Sequence, residues 1–294
     1  MSDCQGDTST RSQNKICHPE RAKRVEGPAV SAISAPETTP ANETHPLTQL
    51  RQFTPARIAL GRTGNSLPTK ELLEFNAAHA MARDAVYAPF NARSIAEQLA
   101  AVGLESIQID SAATDRATYL RRPDLGRKLD EASRIRLTNL KLFTKPQVVF
   151  IIADGLSAMA PERYAVPVIK AAFDLLDGWE IAPIIIAEQA RVALGDEIGE
   201  LLGAEITVML IGERPGLSSA DSLGIYLTYA PMPGRTDAER NCIANVREAG
   251  TTPEQAAQTL RYLITHSRRM KLSGVHLKDE SSSQPRKLST QPPI

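Results

Sequence analysis

The chain has 294 residues, enough for one large domain or two smaller ones with a substantial core. Lysine plus arginine (34) equals aspartate plus glutamate (34), so no global charge recruits nucleic acid or a membrane surface. No apolar run approaches the roughly 20 residues of a membrane span, and three scattered cysteines (Cys4, Cys17, Cys242) without metal-ligand spacing fit a reducing cytoplasm.

Residues 1–46 are rich in Ser, Thr, Pro, Asn and charge, lack a signal peptide's apolar core, and are predicted to form a disordered leader. A block at 47–142 follows and reads as mostly helical. Its turn Gly61-Arg62-Thr63-Gly64 lacks the spacing and the Gly-Lys-Ser/Thr ending of a phosphate loop. A helix is predicted from Thr69, with Leu72, Phe75, His79 and Val86 on one face; His79 there reads as a packed, hydrogen-bonded histidine. A short helix is expected at Ser94–Val102 and a longer one near Asp124–Leu142. The stretch 119–145 is visibly basic and reads as a solvated face.

From Pro146 the texture changes to strands alternating with helices. Strands are predicted at Gln147–Ala153, around Ile184-Ile185-Ile186, at Ile206–Ile211 and at Gly224–Tyr229. Those at 184–186 and 206–211 are short, unbroken apolar runs rich in β-branched residues, as suits strands buried on both faces of a parallel sheet. Helices are expected around Val166–Leu176 and after Arg191, the latter stopped by Gly203. A last helix starts at Thr252, with Pro253 and Gln255 completing the capping pattern. The tail from 279 to 294 reads as disordered. The fold class is therefore α/β, a mostly parallel sheet domain at 143–278 preceded by a smaller helical region at 47–142.

In such a sheet, ligands bind outside the carboxyl ends of the strands. Three loops should share that edge: Asp154–Ser157, Glu188–Val192 and Gly212–Leu217. The first lacks G-x-G-x-x-G, which disfavours a dinucleotide, and reads equally as a plain strand-to-helix turn. In Gly212-Glu213-Arg214-Pro215-Gly216, two glycines and a proline fix a tight loop. It holds Glu213, an acceptor for amide or hydroxyl donors of a polar ligand; a Glu213–Arg214 salt bridge is the plainer reading. No zinc spacing, Ser-His-Asp set or carboxylate pair stands out, so no catalytic residue and no metal ligand is assigned. The residues alone describe an α/β ligand-binding domain.

Several stretches together resemble the small (light) subunit of ethanolamine ammonia-lyase. They are TPARIALGRTG at 54–64, Phe75–Val86, YLRRPDLGRKL at 119–129, ADGLSA at 153–158, GDEIGELLGA at 195–204, IGERPGL at 211–217 and RNCIAN at 240–245. The resemblance covers about Leu50 to Gly274. It implies a Rossmann-like domain that grips adenosylcobalamin at the interface with a large, barrel-shaped catalytic subunit. The enzyme would be a hetero-oligomer that converts ethanolamine to acetaldehyde and ammonia by radical amino migration and elimination. By motif position the cobalamin-contacting residues would be Val192, Glu213 and Cys242. From the residues alone, Cys242 reads instead as a small buried hydrophobe near a helix start. No Asp-x-His-x-x-Gly motif is present, so none of the five histidines is expected as a cobalt ligand. The family implies a cytoplasmic enzyme, and its leaders can carry an address to a bacterial microcompartment; no amphipathic helix is legible in this one. The alternative from another class is a stand-alone α/β module that binds a nucleotide-like ligand or regulates.

Overall fold

The computed structural model describes residues 47–54 and 56–280. The expected leader and most of the expected tail, with Cys4 and Cys17, lie outside the described residues. The fold is α/β. Its centre is a six-stranded sheet in the order β1-β3-β2-β4-β5-β6, comprising β1 (Ser106–Asp110), β2 (Val148–Ala153), β3 (Ile184–Glu188), β4 (Ile206–Gly212), β5 (Leu223–Tyr229) and β6 (Arg240–Val246). The first four strands in that order run parallel; β5 and β6 add on antiparallel.

The apolar runs behave as the sequence implies. Every residue of β2 and of β4 is buried, because helices cover both faces. Val148, Phe150 and Ile152 face one side, with α2 (Ala92–Ala101), α5 (Met159–Phe173) and α7 (Pro253–Met270). Val149, Ile151 and Ala153 face the other, with α4 (Glu131–Thr138) and α6 (Leu194–Leu202). Each such Val or Ile side chain taken out of water stabilises the fold by about 1.5–3 kcal/mol. Pairings such as Ala153 with Ile211 and with Ala187, and Asp110 with Glu188, end the parallel strands level. The three loops therefore leave from one edge, as predicted.

The sequence reading misses several elements. Besides the predicted helix from Thr69, which is α1 (Thr69–Tyr87), the block 47–142 contributes β1, the edge strand beside β3, and the short helix α3 (Arg116–Arg121), neither of them expected. β1 alternates (Ser-Ile-Gln-Ile-Asp) but has only two apolar residues in five, too short a run to stand out in a block that reads as helical. The helix expected at Asp124–Leu142 is only α4, since the Asp130 side chain accepts from Ser133 N and sets the start at Glu131. Conversely, α5 begins seven residues before the predicted Val166. Pro161 stands in its first turn, where no donor is needed, and the buried face Ala165, Val168, Ile169 and Ala172 carries the helix past Pro167. α7 has the predicted cap, with Thr252 Oγ1 accepting from Gln255 N at 3.3 Å and Gln255 returning the bond to Thr252 N at 3.2 Å. His79 is not packed: it is exposed on α1 and stacks on Phe75, with ring centroids 6.2 Å apart. Only Ala85 of α1 is buried. Among the described residues, no helix is long and apolar enough to cross a membrane.

Candidate functional site

The helices after β2 and β3 lie on opposite faces of the sheet, so the two strands form the topological switch point where open α/β sheets usually hold a ligand. Here the chain fills that crevice itself. Arg116, from α3, donates from Nη1 to Asp154 Oδ2 (3.0 Å) and the Gly155 carbonyl (2.9 Å), and from Nε to the Val86 carbonyl (2.8 Å). Asp154 Oδ1 accepts from Gly155 N (2.9 Å) and Ala190 N (3.0 Å). The Tyr119 hydroxyl donates to the Ala190 carbonyl at 3.0 Å, and its ring lies under Arg116 and Arg191 at 4.8 and 4.2 Å. Burial pushes the Asp154 carboxyl up to about 6 against the pull of Arg116 and the backbone donors. Of the two readings left open for Asp154–Ser157, the structure favours the structural turn.

That turn fixes the next loop. Gly155 has φ +55°, and a Cβ there would stand 2.2 Å from the Gly212 carbonyl. A Cβ on Gly212 would in turn lie 2.0 Å from the Ser157 carbonyl. Backbone is packed on backbone, so the end of β4 is held rigidly where Glu213 emerges.

Glu213 does not pair with Arg214; its backbone N donates to the Ser222 carbonyl at 2.9 Å. One carboxylate oxygen, Oε2, accepts from the Ser222 hydroxyl and from Asn245 N (3.4 Å). Among the described residues, Oε1 accepts no hydrogen bond. Cys242 is neither buried nor near a helix start: it is exposed on β6, directly across from Tyr226 of β5. No apolar run announces β6, because only Arg240, Ile243 and Val246 of it are buried. The Tyr226 and Cys242 side chains are cross-strand neighbours on one face of the ladder. Surrounding protein raises the Cys242 thiol, Tyr226 opposes this, and Glu213 adds to it, so the group stays a neutral thiol at pH 7.

Leu223, Ile225 and Leu227 point into the core on the α5–α7 side, which leaves Gly224, Tyr226 and Thr228 on the α6 side. There Tyr226 and Val192 lean on the same core cluster from its rim. Val192 is half-buried in the loop leading into α6. A buried ion pair ties the two ends of this face together. Arg240 on β6 donates to Asp196 on α6 through Nη1 (2.7 Å) and Nη2 (2.6 Å), and also to Thr228 Oγ1 (2.8 Å) and the Arg235 carbonyl (3.0 Å). The result is an open face with Glu213, Tyr226 and Cys242 together and Val192 on its far rim. A cavity of about 610 Å³ between residues 124–128, α6 and the 233–235 turn adjoins it but includes none of the three predicted residues in its wall.

Tyr226, Gly224, Ser222, Asp196 and Arg240 were not singled out from sequence. Alternation in GIYLTY carries part of the signal, since it sets Tyr226 on the face opposite Ile225. The others act through partners distant in the chain.

A family model described as the ethanolamine ammonia-lyase light chain matches residues 44–278. The chain is 52% identical over 248 residues to a protein of Pseudomonas paraeruginosa named ethanolamine ammonia-lyase small subunit, covering 83% of this chain and 91% of that one. Proteins of the same name from Azotobacter vinelandii and Pseudomonas fluorescens are 52% and 51% identical, over 83% and 84% of this chain and 92% of each relative.

Proposed function

The chain belongs to the ethanolamine ammonia-lyase light-chain family, as the subunit of a lyase, and from that premise we propose that it helps bind adenosylcobalamin at an interface with a large catalytic subunit. The contacts would be Val192, Glu213 and Cys242. When bound, the cofactor supplies the radical chemistry that turns ethanolamine into acetaldehyde and ammonia. This chain's residues bind, orient and exclude water.

The observation that carries the reading is the open face of β5 and β6. A corrin is broad and flat, fringed with amide groups, and suits an uncovered face better than a deep crevice. Glu213 Oε1, which has no partner among the described residues, is an acceptor for a peripheral amide N–H. The Tyr226 ring and the neutral Cys242 thiol offer a soft, weakly polar surface, and Val192 an apolar edge. The Arg240–Asp196 pair holds β6 and α6 at a fixed spacing, which preorganises the face. Half of the ligand would remain uncovered, so a second subunit is needed to close over it.

Assembly with a large subunit has its own support. Leu72, Leu73, Phe75 and Met81 are exposed on α1, an apolar surface over which, among the described residues, only Arg57 lies, at the Phe75 ring. Such an enzyme would work in the cytoplasm, or inside a microcompartment if residues 1–46 carry that address.

The test is to purify this chain with its large subunit and measure adenosylcobalamin affinity and acetaldehyde release for wild type and Glu213→Ala. Activity that needs both chains, with affinity lowered about tenfold or more in the variant, is expected from losing a hydrogen bond to a charged group. Unchanged affinity would remove Glu213 from the site. Failure of the wild-type complex to bind cobalamin would overturn the reading.

A further inference from the structure

Gly224 lies where β5 and β6 lose register: Leu223 pairs with Val246 but Ile225 with Ile243. β6 carries one extra residue there, Asn245 takes a left-handed backbone at φ +60°, and its N–H turns toward Glu213 at 3.4 Å. On β5 the matching position has no side chain. A Cβ at Gly224 would lie 3.0 Å from Glu213 Oε1, 3.1 Å from Glu213 Cγ and 3.1 Å from Tyr226 Cε2. The Glu213 carboxylate and the Tyr226 ring therefore both rest over the bare backbone of Gly224. Tyr226 also stands directly across the ladder from Cys242. Glu213 and Cys242, which come from different strands, are thus joined through one aromatic ring on one glycine shelf.

We infer that Gly224 and Tyr226 are positioning residues of the cofactor face: the glycine lets Glu213 and the ring lie flat, and the tyrosine, as the cross-strand partner of Cys242, sets where the thiol stands. This rests on the cobalamin reading above and extends it to Gly224, which that reading does not use, and to a positioning role for Tyr226, which there serves only as contact surface. Neither residue needs to donate or accept at the cofactor; each sets where its neighbours stand. The shelf is built of side-chain ends at a surface, so an added methyl displaces them by a few tenths of an ångström without breaking the core.

The experiment uses the complex of this chain with its large subunit, titrated with adenosylcobalamin and followed by absorbance. Gly224→Ala should bind about tenfold more weakly, and Tyr226→Phe, which keeps the ring, about twofold, with thermal midpoints near wild type. Tyr226→Ala should be weaker still, so that phenylalanine rescues part of the loss. At saturating cofactor, turnover should return, because the effect lies in KM for the cofactor. Peptide-mapped alkylation by iodoacetamide gives a second readout. Loss of the tyrosine hydroxyl should move the Cys242 alkylation profile to higher pH, with Glu213 and Asp237 the other charged groups acting on the pair. Wild-type affinity in both Gly224→Ala and Tyr226→Ala would overturn the positioning role and leave the cobalamin reading standing. No binding by the wild-type complex would bring down both.

Discussion

The ion pair between Arg240 and Asp196 offers the sharpest test of how this face is held. Their side chains are only 2% and 1% exposed, and the contact is bidentate at 2.7 and 2.6 Å. Asp196→Ala leaves a guanidinium buried with Thr228 Oγ1, the Arg235 carbonyl and, 3.6 Å from Nε, the fully exposed and therefore solvent-screened carboxylate of Asp237 as its remaining partners. Breaking a buried pair from one side costs about 3–5 kcal/mol, a large part of a total stability of about 5–15 kcal/mol. For a domain of this size that lowers the thermal midpoint by about 10 °C. Arg240→Met should be milder, because a stranded carboxylate can take up a proton whereas a guanidinium cannot shed one. Its deficit should therefore shrink as the pH falls toward 4, while that of Asp196→Ala does not. The double variant Asp196→Ala/Arg240→Met should recover much of the loss, with a coupling on the order of 3 kcal/mol in a double-mutant cycle. Urea unfolding of all four proteins measures this. Single variants within about 1 kcal/mol of wild type, or a double variant as damaged as the sum, would refute the reasoning.

Two further outcomes follow from the loops behind the face. Gly155→Ala places a methyl against the Gly212 carbonyl at a backbone angle of +55°, and should cost about 3 kcal/mol or more, read as a lowered unfolding midpoint or loss of soluble protein; a variant as stable as wild type would show that the loop can give way. Asp154, raised to about 6 in the fold from 3.8, holds its proton more tightly folded than unfolded, so its titration lowers stability as pH rises from about 4 to about 6 and is flat above. Beyond a constant offset, Asp154→Asn should remove on the order of 2 kcal/mol of that pH dependence, measured as the wild-type-minus-variant difference in urea stability between pH 4 and pH 7. An identical pH profile would place the Asp154 titration elsewhere.

What the sequence makes legible is what depends on neighbours in the chain. The fully buried strands β2 and β4 stand out as unbroken apolar runs, and α7 declares its start through Thr252, Pro253 and Gln255. The three loops and Glu213 follow from those strands, because a parallel sheet delivers its carboxyl ends to one edge. Contacts between distant residues are not legible. Arg116 meets Asp154 across 38 positions and Arg240 meets Asp196 across 44, and in the sequence each is merely a charge. β6 is hidden for the same reason, since its first buried residue is an arginine made acceptable by its partner. His79 shows the converse: helical spacing correctly gathers an apolar face on α1 but does not say that the chain leaves it largely uncovered.

The general rule for open α/β sheets points to the crevice between β2 and β3, and in this chain that crevice is closed by Arg116, Tyr119 and Asp154. A closed crevice does not leave the carboxyl edge without function; it moves the open surface along the sheet. The two antiparallel strands extend the sheet past β4, where one side of β6 is exposed at Cys242, Ala244 and Asn245. The same packing that plugs the crevice, Gly155 against Gly212, also sets the height at which Glu213 leaves β4. A ligand small enough for the crevice would find it occupied, whereas a broad one finds a rigid, one-sided face with an acceptor at its edge that is unpaired among the described residues. A one-sided face buries only half of what lies on it, which is why the cofactor reading and the need for a second subunit stand or fall together.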